Sequence, residues 1–300
     1  FLDGAVTLFP ALRYDFYDLD PTDDPLLPDF AGSAQSDDRL SPKLGVTVKL
    51  ADDVLLYGNY AQGFRAPTPY QVNNFFENLA YGYTSLPNPD LGPETSESWE
   101  AGIKFSTEAV SLQIAAFTAD YDDFISQQVV GGSFTPMDPA QYQFVNYDAV
   151  EIEGVEAKAS FRMENGFYSR FAIAYADGDI LSPGVAPRPL DTIDPLNLVV
   201  GIGYREPQGR FGGELIATHH ARKPLDETDG GYRPDAFTIL DATAFFAVTD
   251  ALKLRAGIFN IFDEKYAYWQ DVRGLSATST TTDAYTRPGR NASVSLSFQF

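Results

Sequence analysis

The chain has 300 residues, a formal charge of −21 at pH 7, no cysteine and two histidines, the adjacent His219 and His220. The acidity argues against a nucleic-acid partner, whose phosphates want a basic surface. Without cysteine there are no disulfides, zinc–thiolate sites or Cys nucleophiles, and two neighbouring histidines do not build a His-rich metal centre. No run of about 18 apolar residues offers a helical membrane span.

The N-terminus, FLDGAVTLFP, lacks the basic start and long apolar core of a signal peptide. It begins in what reads as mid-strand, which suggests a piece of a longer chain. Onward from there the hydrophobic period is mostly two. About twelve such runs follow, near residues 5–18, 40–50, 54–64, 95–105, 110–128, 142–161, 167–177, 195–205, 211–222, 236–247, 251–262 and 288–300. ETSESWEAGIKF sends Trp99, Ala101, Ile103 and Phe105 one way and Ser98, Glu100, Gly102 and Lys104 the other. The last run puts Ala292, Val294, Leu296, Phe298 and Phe300 on one face and Asn291, Ser293, Ser295, Ser297 and Gln299 on the other. A second face carrying Arg13, Asp15, Glu100, Lys104, Glu156, Lys158, Arg170, Lys253 and Arg255 suits a water-filled or plug-filled lumen. Aromatics reach 14% while mean hydropathy is only −0.20, as expected where lipid-facing and lumen-facing residues alternate and average out.

The connections alternate in length. Short turns fall at 51–53, 106–109, 162–166, 206–210 and 248–250; long segments fall near 19–39, 65–94, 129–141, 178–194, 223–235 and 263–287. That asymmetry is the mark of an all-β, transmembrane, antiparallel up-and-down β-barrel with tight periplasmic turns and long outer loops. A soluble sandwich would space its turns evenly. A last strand ending at Phe300 returns to the periplasm, so Tyr14, Phe16, Tyr60 and Phe64 are expected near the outer interface and Phe105, Phe161 and Phe300 near the inner one.

At the outer end of the third run, FRAP and the following TPYQVNN place Pro67 and Pro69 where the ladder must stop. NPDLGPE, with Pro89, Gly92 and Pro93, turns the chain back into the next strand. The roughly thirty residues between are too rich in aromatics (Tyr70, Phe75, Phe76, Tyr81, Tyr83) for a disordered linker and read as a contact surface.

These segments resemble a family. YGNYAQGFRAP followed by NPDLGPETSESWEAGIKF is similar to the paired FRAP and NPNL boxes of TonB-dependent outer-membrane receptors, especially the heme and hemoglobin group. EIEGVEAKASF resembles that family's mid-barrel strand, and NIFDEKYAYWQDVRGL with YTRPGRNASVSLSFQF resembles its C-terminal end. The resemblance implies that residues 1–300 are one barrel domain, the C-terminal half of a 22-stranded barrel, with neither the N-terminal plug nor a TonB box in view. It implies localisation in the bacterial outer membrane, contact with its lipid, and coupling to the TonB complex through the N-terminal part. It implies no enzymatic activity and no required cofactor, with heme as a transported ligand. The lumen charges would touch the plug.

The same resemblance points to Phe64, Arg65, Ala66, Pro67, Tyr70, Tyr81, Tyr83, Asn88, Pro89 and Leu91 as ligand-binding residues. Receptors of the heme group carry a heme-ligating histidine between the two boxes, and this chain has none there. Tyr81 and Tyr83 are candidates for a substitute iron ligand, since phenolate is a known axial ligand of ferric heme, although ordinary loop packing is the commoner role. His220 is a third: if Leu215 and Ala217 face lipid, so does His219, and His220 points inward. A rim histidine facing water remains the commoner case. Two further readings stay open. One is the same machine carrying a ferric siderophore or another nutrient. The other is a complete twelve-stranded pore or outer-membrane hydrolase, for which only the two histidines could supply a base and no nucleophile sits beside them. The Asp runs at 18–24 and 37–38 lack EF-hand spacing and read as solvated loops.

Overall fold

The computed structural model describes residues 4–22, 32–182, 184–224 and 230–299. Phe300, Asp23 and Asp24 lie outside them. The twelve expected runs are all strands: β1 (Val6–Leu19), β2 (Gln35–Ala51), β3 (Val54–Arg65), β6 (Glu94–Ser106), β7 (Val110–Gly131), β8 (Ala140–Arg162), β9 (Phe167–Leu181), β11 (Asn197–Arg205), β12 (Phe211–His220), β13 (Phe237–Ala247), β14 (Leu252–Phe259) and β15 (Asn291–Phe298). Each pairs antiparallel with the next in chain order, and β1 and β15 do not pair with each other. The described sheet is therefore an open part of a barrel wall, not the complete twelve-stranded pore.

Pairing register converts the period of two into two continuous faces. One row runs Ile202, Leu215, Ala242, Ile258 and Ala292 across β11 to β15. The neighbouring row, on the opposite face, runs Gly203, Glu214, Thr243, Gly257 and Ser293. The apolar face is bare: Val294 is 71% exposed and Leu296 69%. Lipid is the solvent for those side chains, so exposure there satisfies the hydrophobic effect. All nine lumen charges named from the sequence fall on the polar face by register. Three of them are in ion pairs, Arg13 with Asp15 at 2.6 Å and Arg170 with Glu214 on the strand two places along.

The lumen wall is kept thin by a repeated device. Tyr57, Phe117, Tyr168 and Phe245 each stand directly opposite a glycine of a paired strand, Gly102, Gly154, Gly203 and Gly212. Each ring lies over its glycine, where a Cβ would collide with it. The rings thus shield the backbone and stay flat against the wall.

At the outer end the sequence reading needs correction. The segment expected as a loop over 129–141 is shorter, 132–139, because β7 and β8 continue pairing to Gly131 and Gln141 past a bulge at 129–131. β7 has 22 residues and β8 has 23. A tilted strand crosses a bilayer in about 9–11 residues, so roughly twelve residues of each strand of this hairpin, about 40 Å, stand outside the membrane. β2 and β9 likewise start earlier and end later than the expected 40 and 177. The buried apolar clusters lie in this outer region: Val72, Leu91 and Ile125 in one, Val150, Ile180 and Leu190 in the other.

Candidate functional site

The segment 66–93 between β3 and β6 is folded, and its two ends are locked together. Arg65 and Glu94 are opposite in the ladder, and the guanidinium donates to both carboxylate oxygens, from Nη2 at 2.5 Å and Nε at 3.2 Å. Glu94 is 7% exposed and also accepts the amide of Ile125 at 3.0 Å. Charge-assisted bonds of this kind are the strong ones, and they repay the burial of the carboxylate.

From this base rises helix α1 (Pro69–Asn73). Thr68 caps it, accepting the Gln71 amide, while the Gln71 side chain accepts the Thr68 amide in return. With Pro at the first helical position, Thr-Pro-Tyr-Gln is a capping box, a signal present in the sequence that the reading passed over. Val72 then drops into the buried cluster beside Leu91, and Val72's carbonyl accepts the Asn88 amide at 2.8 Å.

The tip is built by β4 (Phe76–Asn78) and β5 (Tyr83–Leu86), which pair with each other; β5 adds in parallel to the outer start of β8. Between them a 3-10 turn, Leu79–Tyr81, ends at Gly82 with φ 71°. Gly82's carbonyl accepts the Ala140 amide at 2.8 Å, and a Cβ on Gly82 would stand 2.6 Å from the Phe134 carbonyl oxygen. The projecting hairpin and the loop are thus one assembly.

The ten residues expected at a ligand site divide by what they touch. Arg65, Pro67, Asn88 and Leu91 serve the loop's own fold: Pro67 is buried, Leu91 is 1% exposed, and Asn88 donates to the Phe144 carbonyl at 2.8 Å. Pro89 is exposed, and its carbonyl accepts the side chain of Gln35. Phe64 packs 6.2 Å from Tyr17, and Ala66 is half-buried. Tyr83 is half-buried, with its hydroxyl accepting Asn78 at 3.1 Å and its ring edge-on to Tyr142. Tyr70 and Tyr81 remain exposed, at 64% and 77%, together with Phe75, Phe76 and Leu79. Gln35 and Asn146, absent from the sequence-based set, tie the NPDLGPE box down, Asn146 exchanging bonds with Gly92 at 2.9 and 3.1 Å, and Gln143 holds the Pro87 carbonyl just before it. Polar residues on distant strands give no local signal for such a role.

His220 stands elsewhere on the rim. It shares the lumen face with Glu214, while His219 shares the lipid face with Leu215 and contacts Thr238 through Nδ1 at 2.8 Å. The His220 ring stacks on Phe237 at 5.0 Å and meets Tyr268 edge-on at 4.9 Å. Tyr83 lies on β5, which joins the sheet at β8, three strands away from the β12 strand that carries His220.

A second outer assembly surrounds it. Helix α2 (Trp269–Val272) buries Trp269 and Val272 and reaches across to the 188–194 segment, where β10 (Arg188–Pro189) pairs with β9. Trp269 donates to the Asp191 carbonyl at 2.5 Å, Gln270 to Thr192, and Arg273 pairs with Asp191 at 3.2 Å. Lys223, 4% exposed, lies in this assembly; burial pushes its ammonium below the usual lysine value, against the opposing pull of Asp177, Asp191, Asp194 and Asp179. Tyr266, packed against Phe237 and Tyr268, is pushed up, chiefly by burial. Among the described residues no group of three or more acidic or histidine side chains is arranged to hold a metal ion.

Comparison with known proteins follows the same lines. Residues 1–261 match the family model "TonB dependent receptor-like, beta-barrel". A probable hemoglobin and hemoglobin-haptoglobin-binding protein of Haemophilus influenzae is 26% identical over 87% of this chain and 29% of its own length. The hemoglobin-haptoglobin utilization protein B of Neisseria meningitidis is 23% identical over 90% of this chain and 38% of its own. The chain thus spans about a third of the curated relatives it matches. Among solved structures, the copper transporter OprC superposes with a TM-score of 0.78 at 20% identity, covering 99% of this chain and 46% of that one. The ferric enterobactin receptor PfeA of Pseudomonas aeruginosa gives 0.73 at 21%, covering 100% and 44%. These matches are receptors and transporters of the outer membrane, and none is an enzyme. With a lipid face, a polar lumen face, short inner turns and folded outer loops, this chain belongs to the TonB-dependent receptors and forms part of their β-barrel.

Proposed function

We propose that the receptor to which this barrel belongs imports an iron source, heme or heme drawn from a heme protein, captured by the assembly of segment 66–93 on the β7–β8 hairpin. The observation that carries this reading is the division within that loop: a locked base, and a tip that offers Tyr70, Phe75, Phe76 and Tyr81 to the outside. A flat apolar macrocycle is held by such rings, and Tyr81 brings a phenolic oxygen suited to ferric iron. Tyr83 is the poorer ligand because its hydroxyl is engaged by Asn78, and His220 would act only on heme that has moved past the loops toward the lumen. The names of the curated relatives support hemoglobin as the source. Movement across the membrane would be driven by TonB acting through the part of the receptor outside this chain. No covalent chemistry is required of it.

A ferric siderophore is the second reading, supported by the lack of any histidine in segment 66–93 and by the likeness of the wall to PfeA. The two are separated by adding ferric heme to the full-length receptor and recording absorption for wild type, Tyr81→Phe, Tyr83→Phe and His220→Ala. The proposal expects a saturable Soret shift that Tyr81→Phe reduces at least about tenfold in affinity, equivalent to about 1.4 kcal/mol. No shift in a correctly inserted receptor contradicts heme capture and leaves the siderophore reading in its place.

A further inference from the structure

The stretch between β14 and β15 folds inward over the tops of the neighbouring strands. Tyr268, at the N-terminus of α2, lays its ring 4.9 Å from His220 and 5.7 Å from Phe237, which face each other across the β12–β13 ladder. From there α2 reaches the segment between β10 and β11. Trp269 donates to the Asp191 carbonyl and Gln270 to the Thr192 carbonyl, and Arg273 pairs with Asp191. The last outer connection is therefore a strap above the lumen-facing His220, which it leaves half-buried. Beyond α2 the chain leaves through Gly274, φ 83°, where an added Cβ would meet nothing within 4 Å.

The seat of the strap is continuous with the first outer assembly. Leu190, next to Asp191, is buried with Val150 of β8 and Ile180 of β9, and Ile193 and Phe124 pack on the same cluster. The neighbour of Phe124 on β7, Ile125, belongs to the other cluster with Val72 and Leu91, and Glu94 accepts its amide. Just before these two residues Asp123 holds a left-handed backbone, φ 56°. Its carbonyl accepts Asn146 at 2.6 Å, the same side chain that grips Gly92. Backbone strain of this kind persists where the surroundings over-determine a position, and it collects at switch regions. The strap itself is a four-residue helix whose one ion pair to its seat is partly exposed, which puts it at the low-stability end of the fold.

We propose that α2 is a gate over His220 whose closure is set by segment 66–93 through Ile125, Phe124 and Leu190. Packed clusters move between discrete arrangements and do not deform smoothly. Disturbing the locked base of the segment therefore loosens the strap, and loosening the strap disturbs the segment, because coupling between two sites is reciprocal. The gate's purpose rests on the reading above, in which a ligand held at the loop tip later passes His220. The coupling belongs to this chain's own contacts and needs no ligand.

The test is hydrogen exchange on the full-length receptor in lipid nanodiscs, with no ligand added, for wild type, Glu94→Gln and Trp269→Phe. The second variant keeps a ring in place but loses the bond to the Asp191 carbonyl. Glu94→Gln is expected to speed exchange about tenfold at residues 190–193 and 271–275. Trp269→Phe is expected to speed it at least about threefold at the amides of Val72 and Asn88, with β12 to β14 unchanged in both. In each background a thiol introduced by His220→Cys should react about tenfold faster with a maleimide than in the parent. An effect that stops within the assembly carrying the substitution, in either variant, overturns the coupling, and unchanged thiol reactivity overturns the gate. If Glu94→Gln does not insert, Trp269→Phe carries the test from the other end. Failure of the heme reading leaves all of these outcomes as they are.

Discussion

Glu94 and Lys223 are both nearly withdrawn from water, and the fold treats them in opposite ways. Glu94 is surrounded by donors, the Arg65 fork and the Ile125 amide, so its charge is compensated where it sits. Lys223 is buried with Asp177 and Asp179 of β9 and Asp191 and Asp194 of the following segment as its charged neighbours, and their attraction falls short of the desolvation cost. The consequence for stability has a definite sign. Between the depressed folded value and the ordinary lysine value of about 10.4, the unfolded chain binds more protons than the folded one, so stability rises with pH in that window. Below the folded value both states are protonated and the full penalty remains. The Tm of the full-length receptor minus that of Lys223→Met should therefore increase as pH is raised from 7.5 to 10. A difference that stays flat over that range would mean that Lys223 is well solvated. Neither residue's role was visible in the sequence, since the partners of each lie on strands and segments remote along the chain.

At the scale of elements, the strands were legible and the outer assemblies were not. The alternation in β6 or β15 reports two solvents, lipid on one side and water on the other, so a period of two appears without any knowledge of pairing. Strand ends were misplaced where pairing continues beyond the membrane, as in β7 and β8, because there both faces meet water and the contrast fades. Helix α1 carries a capping box, a local signal that went unused, whereas the parallel seam of β5 on β8 depends on register alone. Gly82 holds that seam. Alanine there would need a left-handed backbone, costing about 1–2 kcal/mol, and its methyl would press on the Phe134 carbonyl. Gly82→Ala should speed hydrogen exchange about tenfold or more at residues 83–86 and at Ala140, with β12 to β14 unchanged. Equal protection in variant and wild type would show that the loop is not docked on the hairpin through this turn.

At the scale of the whole molecule, the account rests on one vector: apolar face to lipid, short turns inward, aromatic loop tip outward. The sequence suggests that vector through alternation of loop lengths and the FRAP and NPDLGPE boxes, and the register of twelve strands agrees with its division into two faces. What it could not show was which box residues form the loop's scaffold and which stay exposed, because Leu91 and Tyr81 differ only in burial, which packing decides. The barrel's direction can be measured without knowing the ligand. This chain has no cysteine, so Tyr81→Cys at the tip and Glu164→Cys in the 163–166 turn can be introduced singly into the full-length receptor. Intact cells are then exposed to a membrane-impermeant thiol reagent. The account predicts labelling of Tyr81→Cys on intact cells and of Glu164→Cys only after the outer membrane is permeabilised. Labelling of Glu164→Cys on intact cells while Tyr81→Cys stays protected would contradict it.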